Sequence, residues 1–239
     1  LRYLMLDEEN PSSIVSALGR ARESLRTVRD SLPSEAWEKL NDLHHYVQER
    51  GEKSLPRGKR AEFLNRVIDG ALLIYGLLSS NMSRDTGFQF LRIGTNLEQV
   101  DMTTRIIDVR SSNLIKAKSA ELASFQNIQW MSVLKSLTGY QMYRRHVRMR
   151  VNGPNVLRFL LQDREFPRSV MFCLHMISLT LPKLPANRAL ERSVERLLAL
   201  VADANIEKLV GGGLHELMDE IQVGIAKLHE ALSAAYFRA

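Results

Sequence analysis

Acidic and basic side chains recur at helical spacing in the segment 93–108, and they are the strongest candidates for chemistry in this sequence. Glu98, Asp101, Arg105 and Asp108 are separated by three, four and three residues, so a helix places them along one face. The neighbouring face carries mainly apolar residues, at Phe90, Ile93, Leu97, Val100, Thr104 and Ile107. Because the charged row flanks this stripe, we expect its side chains to be partly shielded from water and to need partners of opposite charge. The row is either an ordinary helix surface with an intrahelical Asp101–Arg105 pair or a polar seam that binds a ligand or another polar chain.

Three arginines near the N-terminus could supply the opposite charge for such a seam. Arg22, Arg26 and Arg29 follow one another at steps of four and three, which places them on one face of a helix. A guanidinium group grips a carboxylate with two parallel hydrogen bonds. We therefore expect Arg22 or Arg26 to reach toward Glu98 and Asp101, with an ordinary solvated face as the alternative.

The other residue types with catalytic potential form no recognisable motif. The histidines include no pair at the spacing of metal ligands, and the sequence contains neither a glycine-rich phosphate loop nor a nucleophile elbow. Cys173 lies within the apolar run 171–174, which favours a buried structural thiol. The sequence therefore predicts neither a metal nor a cofactor.

Positive charge is concentrated in the segment 143–150, which contains four arginines and one histidine. Such a run can contact phosphates, or it can be a solvated helix end that the helix dipole stabilises. The whole chain has a net charge of +6, from 33 Lys and Arg against 27 Asp and Glu, and most of this charge is interspersed. The sequence therefore argues against nucleic acid as the main partner.

Hydrophobic residues recur at helical spacing nearly everywhere, and no segment alternates for long enough to predict a strand. Because the connecting segments are short, the sequence predicts an all-α fold, a single antiparallel helical bundle of about eight to ten helices in one domain over residues 1–239. The segment Ala71–Leu78 is apolar on every side, so we expect its helix to be buried at the centre.

The strongly apolar runs are shorter than the roughly 18 residues of a membrane span, and no signal peptide is visible. These features predict a cytoplasmic protein without a membrane partner.

Several segments together resemble the bacterial alpha-E domain family, whose members are helical. The run 93–108, Ile-Gly-Thr-Asn-Leu-Glu-Gln-Val-Asp-Met-Thr-Thr-Arg-Ile-Ile-Asp, is similar to the second Glu-Arg motif of that family. Further segments match its other helices in the same order: Asn10–Ser13 with Ala21–Glu23 and Arg26, Trp37 with Asn41, Gln129–Trp130 through Leu134–Ser136 with Tyr143–Arg144, and Phe166–Val170. Two positions depart from the motif, because Gln99 and Thr95 stand where the family has arginine. The family's opening helix is missing, so the resemblance predicts a chain truncated at its N-terminus.

The resemblance implies a setting of peptide modification. Alpha-E domains are encoded beside, or fused to, circularly permuted ATP-grasp proteins and transglutaminase-like peptidases, and ATP-grasp enzymes couple ATP hydrolysis to carboxylate–amine ligation. The resemblance assigns the role of functional, potentially catalytic acid to Glu98, with Asp101 and Arg105 as its neighbours. The remaining positions that could complete a binding site are Arg22, Arg26, Trp130, Tyr143, Arg144 and Arg168.

Three functional hypotheses follow from the residues and the resemblance. The leading one is a non-catalytic helical partner of a peptide-ligating ATP-grasp enzyme, which holds the ligase or a peptide substrate through the row of Glu98, Asp101 and Arg105. The second is an enzyme subunit in which Glu98 acts as a general base toward an amine, in peptide bond formation or cleavage. The third is a weak binder of nucleic acid or an anionic surface through the segment 144–150.

Overall fold

The computed structural model describes residues 1–114 and 120–237, with side chains for residues 1–109 and 126–237. Every regular element in these residues is helical, so the predicted all-α class is confirmed. The α-helices of the described residues are α1 (Arg2–Met5), α2 (Ile14–Thr27), α3 (Ser34–Ser54), α4 (Arg57–Asn81), α5 (Thr86–Leu114), α6 (Ala120–Ser136), α7 (Tyr140–His146), α8 (Gly153–Gln162), α9 (Val170–Thr180), α10 (Arg188–Ala202), α11 (Ile206–Gly211) and α12 (Leu214–Tyr236). Two short 3₁₀ helices, Arg29–Ser31 and Leu181–Lys183, join neighbouring α-helices.

The helices outnumber the expectation because of short elements that hydrophobic spacing does not resolve. The first helix, α1, has four residues, and α7 has seven. Helices α6 and α7 are separate because Thr138, between them, has a φ of 52°, in the left-handed region that ends a helix. A pattern with a period of 3.6 residues runs across such breaks, so the sequence alone does not locate them.

Side-chain caps fix where several helices begin. At the start of α2, the Ser13 hydroxyl accepts a hydrogen bond of 3.1 Å from the Ser16 N–H. The same kind of cap opens four further helices, at Asn152, Ser169, Asn187 and Asn205. The caps at Asn152 and Ser169 therefore fix where α8 and α9 begin.

The chain divides into two compact units, Leu1–Phe88 and Gln89–Ala239. In the first unit, α3 packs against both α2 and α4, and a small core forms around Val47 and Phe63. In the second unit, α10 packs against α8, α9 and α12 over a larger core that contains Leu174 and other fully buried side chains. The organisation of residues 1–239 as a single domain stays a prediction.

The expectation that Ala71–Leu78 is buried on every side is wrong. Ile74 and Leu78 are buried, with 9% and 6% of their surface accessible, but Leu72 is 56% exposed. The other exposed large apolar side chains of this helix are Ile68, Leu73 and Tyr75. Helix α4 therefore buries one side only.

The packing of α3 explains this one-sided burial. Along the covered side of α4, the Leu43 side chain approaches Gly70 so closely that a Cβ at Gly70 would lie 2.9 Å from Leu43 Cδ1. The glycine thus allows the two helices to approach each other, whereas the opposite side of α4 faces away from α3. An apolar composition on every side of a helix does not decide how many sides are covered.

Helix α4 also bears on the membrane question. It is the one helix in the part of the chain described that is long and apolar enough to cross a membrane, judged by length and composition alone. The argument from short apolar runs does not apply to it, because a membrane span tolerates small residues and an occasional charge between such runs. The absence of a membrane partner and the cytoplasmic location therefore stay predictions.

A matched pair of substitutions tests the one-sided burial of α4. Ile74→Asp places an unpaired carboxylate in the α3–α4 contact and is expected to lower the free energy of unfolding by on the order of 3 kcal/mol. Leu72→Asp, two residues away on the exposed side, is expected to change it by less than about 0.5 kcal/mol. Urea unfolding followed by circular dichroism measures both effects, and equal losses for the two variants would contradict this packing.

Candidate functional site

Helix α5 positions the charged row because its apolar face is held in the core of the second unit. Val100 and Ile107 are completely buried, and Ile93 and Leu97 are nearly so. Thr104 is buried as well, and its hydroxyl donates to the Val100 carbonyl at 3.0 Å, so burial leaves this polar group satisfied. The apolar stripe that hydrophobic spacing predicts is therefore confirmed.

The charged row lies at the edge of this buried face, and its members differ in exposure. The Asp101 side chain is 25% exposed, and its Oδ2 accepts a hydrogen bond of 2.7 Å from Nε of Arg105, which is 57% exposed. The predicted pair is thus confirmed. The hydrogen bond to Asp101 and the charge of that carboxylate raise the pKa of Arg105, and the more distant charge of Glu98 adds to the effect. Glu98 itself is exposed, so the expectation of partial burial is correct for Asp101 and wrong for Glu98 and Arg105.

The turn between α8 and α9 brings Arg168 to the same helix. The Thr103 hydroxyl of α5 donates to the Arg168 carbonyl at 2.9 Å. The Cys173 thiol lies 3.4 Å from Gln99 Oε1 and 3.3 Å from the Pro167 carbonyl oxygen. Thr103 and Gln99, one helical turn apart on α5, thus contact the α8–α9 connection and the start of α9. Arg168 and the charged row therefore belong to one region of the second unit.

Local hydrogen bonds hold this turn in a defined shape. Asp163 Oδ1 accepts from the backbone N–H groups of Glu165 and Phe166, at 2.8 and 2.7 Å. The Ser169 hydroxyl donates to the Asp163 carbonyl and accepts from the Phe172 N–H, which caps α9. The Phe166–Ser169 segment is therefore a rigid connection, and its match to the family motif reflects an ordered structure next to α5.

Gln99, which replaces the arginine of the family motif, has a partner suited to an amide. Its side-chain oxygen accepts from the weak S–H donor of Cys173, which is completely buried. A guanidinium group has no acceptor, so an arginine at this position could not accept from the thiol and could only donate to its sulfur. The departure from the motif is thus matched by a local contact.

Arg22 and Arg26 have partners inside the first unit. Arg22 Nε donates to Asn41 Oδ1 at 2.6 Å, and its guanidinium lies 5.6 Å from the ring centre of Trp37. Arg26 forms an ion pair of 2.5 Å with Glu23 on its own helix. Both arginines are therefore engaged along α2 and α3, and their approach to the charged row of α5 stays a prediction.

Trp130 and Tyr143 are core residues of the second unit. Trp130 is 5% exposed, and Tyr143 is completely buried against Phe159. The Tyr143 hydroxyl donates to the Arg150 carbonyl at 3.1 Å, and burial raises the pKa of this phenol. Arg144, by contrast, is exposed and lies 6.0 Å from the ring centre of Tyr140. The structure gives the two aromatic residues a packing role, and a role in binding stays a prediction.

Sequence reasoning missed the residue that meets the end of the charged row. His215, at the start of α12, lies with Nδ1 2.8 Å from Asp108 Oδ1 on α5. The spacing placed Asp108 in line with Asp101 and Arg105, but it gave no sign of a partner 107 positions away. Gly213, with a φ of 84°, is the N-cap of α12 and sets the point at which His215 enters the helix.

The Asp108–His215 pair predicts a defined dependence of stability on pH. The hydrogen bond to Asp108 and then its charge raise the pKa of His215 above 6.5, with smaller contributions from Glu216 and Asp219. A raised pKa means that the folded state favours the imidazolium form, so its contribution is fully present below pH 6.5 and is lost as the pH rises through the folded-state pKa. His215→Gln should therefore lower Tm at acidic pH and leave it unchanged at alkaline pH. His229→Gln, an exposed histidine on the same helix, is the control, and the same pH-dependent loss there would contradict the assignment.

The burial of Cys173 predicts an unreactive thiol. Desolvation raises its pKa to about 12, against the opposing charge of Arg168. At pH 8 only about one thiol in ten thousand would be a thiolate, the form that attacks disulfide reagents. Native protein should show no reaction with Ellman's reagent over the time in which urea-denatured protein reacts fully. Rapid reaction of the native protein would contradict the burial of this residue beneath Gln99.

No solved structure matches the chain. The chain is similar to uncharacterized proteins from Mycobacterium bovis and from two strains of Mycobacterium tuberculosis, with 23%, 23% and 22% identity over 236 residues. Each alignment covers 96% of this chain but 26% of the relative, so the chain spans about a quarter of the length of these curated relatives. A family model described as a predicted alpha-helical domain with a conserved ER motif matches residues 1–237, and the chain therefore belongs to the Alpha-E family.

Proposed function

We propose that this domain is a helical binding module of a peptide-ligating system, and that it docks onto a circularly permuted ATP-grasp protein or its peptide substrate through the charged row of α5. The observation that supports the proposal is the exposed acid Glu98 beside the Asp101–Arg105 pair on a helix whose adjoining face is buried. The hydrogen bond between Asp101 and Arg105 already orders these two side chains, so they lose little freedom when they meet a complementary surface. A transglutaminase-like peptidase is the second partner that the proposal includes.

The similarity to longer proteins supports a modular role. The aligned region makes up 26% of each mycobacterial relative, so in those proteins the helical domain is attached to a much longer chain. A domain of this kind is well placed to orient neighbouring protein through its surface charges. In this proposal, Glu98 supplies an acceptor for a cation of the partner, and Arg105 supplies a donor for a carboxylate.

Binding is favoured over general-base catalysis by the environment of Glu98. A carboxylate that abstracts a proton from an amine needs shielding from water and a partner that orients it. Glu98 is exposed, and the neighbouring Asp101 and Arg105 are engaged with each other. We therefore propose no catalytic step for this domain.

Binding measurements with surface variants test the proposed function. The chain is immobilised, and the circularly permuted ATP-grasp protein of the same genome is the analyte in biolayer interferometry. Glu98→Gln and Arg105→Gln are each expected to weaken binding about tenfold, which corresponds to about 1.4 kcal/mol. Because both side chains are exposed, Tm should stay within about two degrees of the parent.

The controls are exposed residues of the second unit outside the charged row. Glu220→Gln on α12 and Arg188→Gln on α10 remove the same charges and should leave affinity unchanged. Adjacent Glu-Arg residues, the sequence for which the family motif is named, occur at 49–50, 191–192 and 195–196. The control substitutions avoid these positions. Failure of the parent chain to bind the ATP-grasp protein, the transglutaminase-like protein and peptides ligated by that system would refute the proposed function. Equal losses in row and control variants would show that general electrostatics, and not the α5 row, mediates binding.

A further inference from the structure

The segment 144–150 gathers positive charge that the described residues do not neutralise. Its four arginines, Arg144, Arg145, Arg148 and Arg150, are all exposed. Within residues 1–109 and 126–237, none of the four lies in an ion pair with a carboxylate, and the single pair of this segment joins His146 to Glu165 at 3.5 Å. Like charges so close in sequence repel one another, so an anion bound among them would be stabilised.

The backbone of this segment is fixed and not merely solvated. The hydroxyl of the buried Tyr143 holds the Arg150 carbonyl. Between them, Arg148 adopts a φ of 53°, a left-handed conformation that is costly for a residue with a side chain. The helix dipole accounts for basic residues in the last turn of α7, but Arg148 and Arg150 follow the end of that helix. A strained loop with a buried anchor is a typical way to present binding side chains.

An open cavity adjoins the segment. Its volume is about 570 Å³, and it lies between this segment, α8 and the turn that follows α8. Val147 and the largely exposed Met149 give it an apolar side, and its cations are the exposed Arg164 and Arg158, which pairs with Glu207 at 2.5 Å. Three of the four arginines of the segment lie next in sequence to the lining residues His146, Val147 and Met149. The lining also contains two carboxylates: Asp163 accepts hydrogen bonds from backbone N–H groups, and Glu165 lies 3.5 Å from His146.

These features favour a ligand that is both anionic and apolar. Single-stranded nucleic acid is usually held by exposed aromatic side chains on which bases stack, but the aromatic residue of this cavity, Phe159, is 2% exposed. Arginine pairs bidentately with carboxylates, and methionine adapts to varied apolar side chains. We infer that the segment 144–150 and the adjoining cavity form a binding site for an acidic peptide segment. In this inference, carboxylates of the peptide pair with Arg164 in the cavity and with the exposed Arg145 and Arg148 beside it, and an apolar side chain contacts Met149. This inference does not rest on the proposed function of α5.

Fluorescence anisotropy with a labelled peptide of alternating Glu and Leu tests the inference. The double variant Arg145→Gln/Arg164→Gln is expected to weaken binding at least about tenfold at physiological salt. The control, Arg188→Gln/Lys227→Gln, removes two exposed charges elsewhere in the same unit and should change affinity less than about twofold. Two further substitutions separate charge from folding. Arg148→Gly keeps the left-handed backbone and should lose affinity without loss of Tm, whereas Arg148→Lys keeps the charge and should retain most of the affinity.

Each other outcome overturns the inference. Equal losses in the site and control variants would indicate non-specific attraction to a basic protein. Tighter binding of a labelled single-stranded DNA of the same length would identify a nucleic-acid surface instead. Displacement of the peptide by equimolar inorganic phosphate would indicate a simple anion site. An unchanged anisotropy on titration with the parent protein would show that no peptide site exists.

Discussion

The burial of one face of α5 is the constraint on which the proposed site depends. Val100 and Ile107 have no accessible surface, so the rotation of this helix about its axis is fixed to within the spacing of its side chains. Asp101 and Arg105 then lie at the border between core and solvent, where their hydrogen bond is partly protected from water. Glu98 falls beyond this border. The apolar packing of the helix thus decides which of these charges are paired at the border and which one is exposed.

Periodicity predicted the parts of this arrangement that are local in sequence. The apolar stripe and the Asp101–Arg105 pair both follow from the helical repeat, since residues three and four apart are neighbours on any helix. The contact between Thr103 and Arg168 spans 65 positions and joins a side chain to a backbone carbonyl. Such a hydrogen bond requires a hydroxyl at the donor position only. Every residue type has a backbone carbonyl, so the sequence does not reveal which residue is the acceptor. The family resemblance identified Arg168, but it gave no reason for its place beside α5.

Burial was harder to predict than helix type, as α4 illustrates. The composition of Ala71–Leu78 shows that the helix has apolar surface on every side, but it contains no information about the neighbours available to cover it. Gly70 allows α3 to approach closely on one side, and Leu72 on the other side is exposed. The number of covered sides is a property of the assembly of helices, whereas periodicity is a property of one helix.

The placement of the two tryptophans gives the molecule two separate optical reporters. Trp37 belongs to the first unit, where the guanidinium groups of Arg22 and Arg29 lie 5.6 and 5.8 Å from its ring centre. Trp130 belongs to the second, where its indole is buried against the backbone of Gly153 at the start of α8. An indole beside charged groups and partial solvent emits at longer wavelength than one enclosed by hydrocarbon. Intrinsic fluorescence at two wavelengths would therefore follow each unit by itself, without any label.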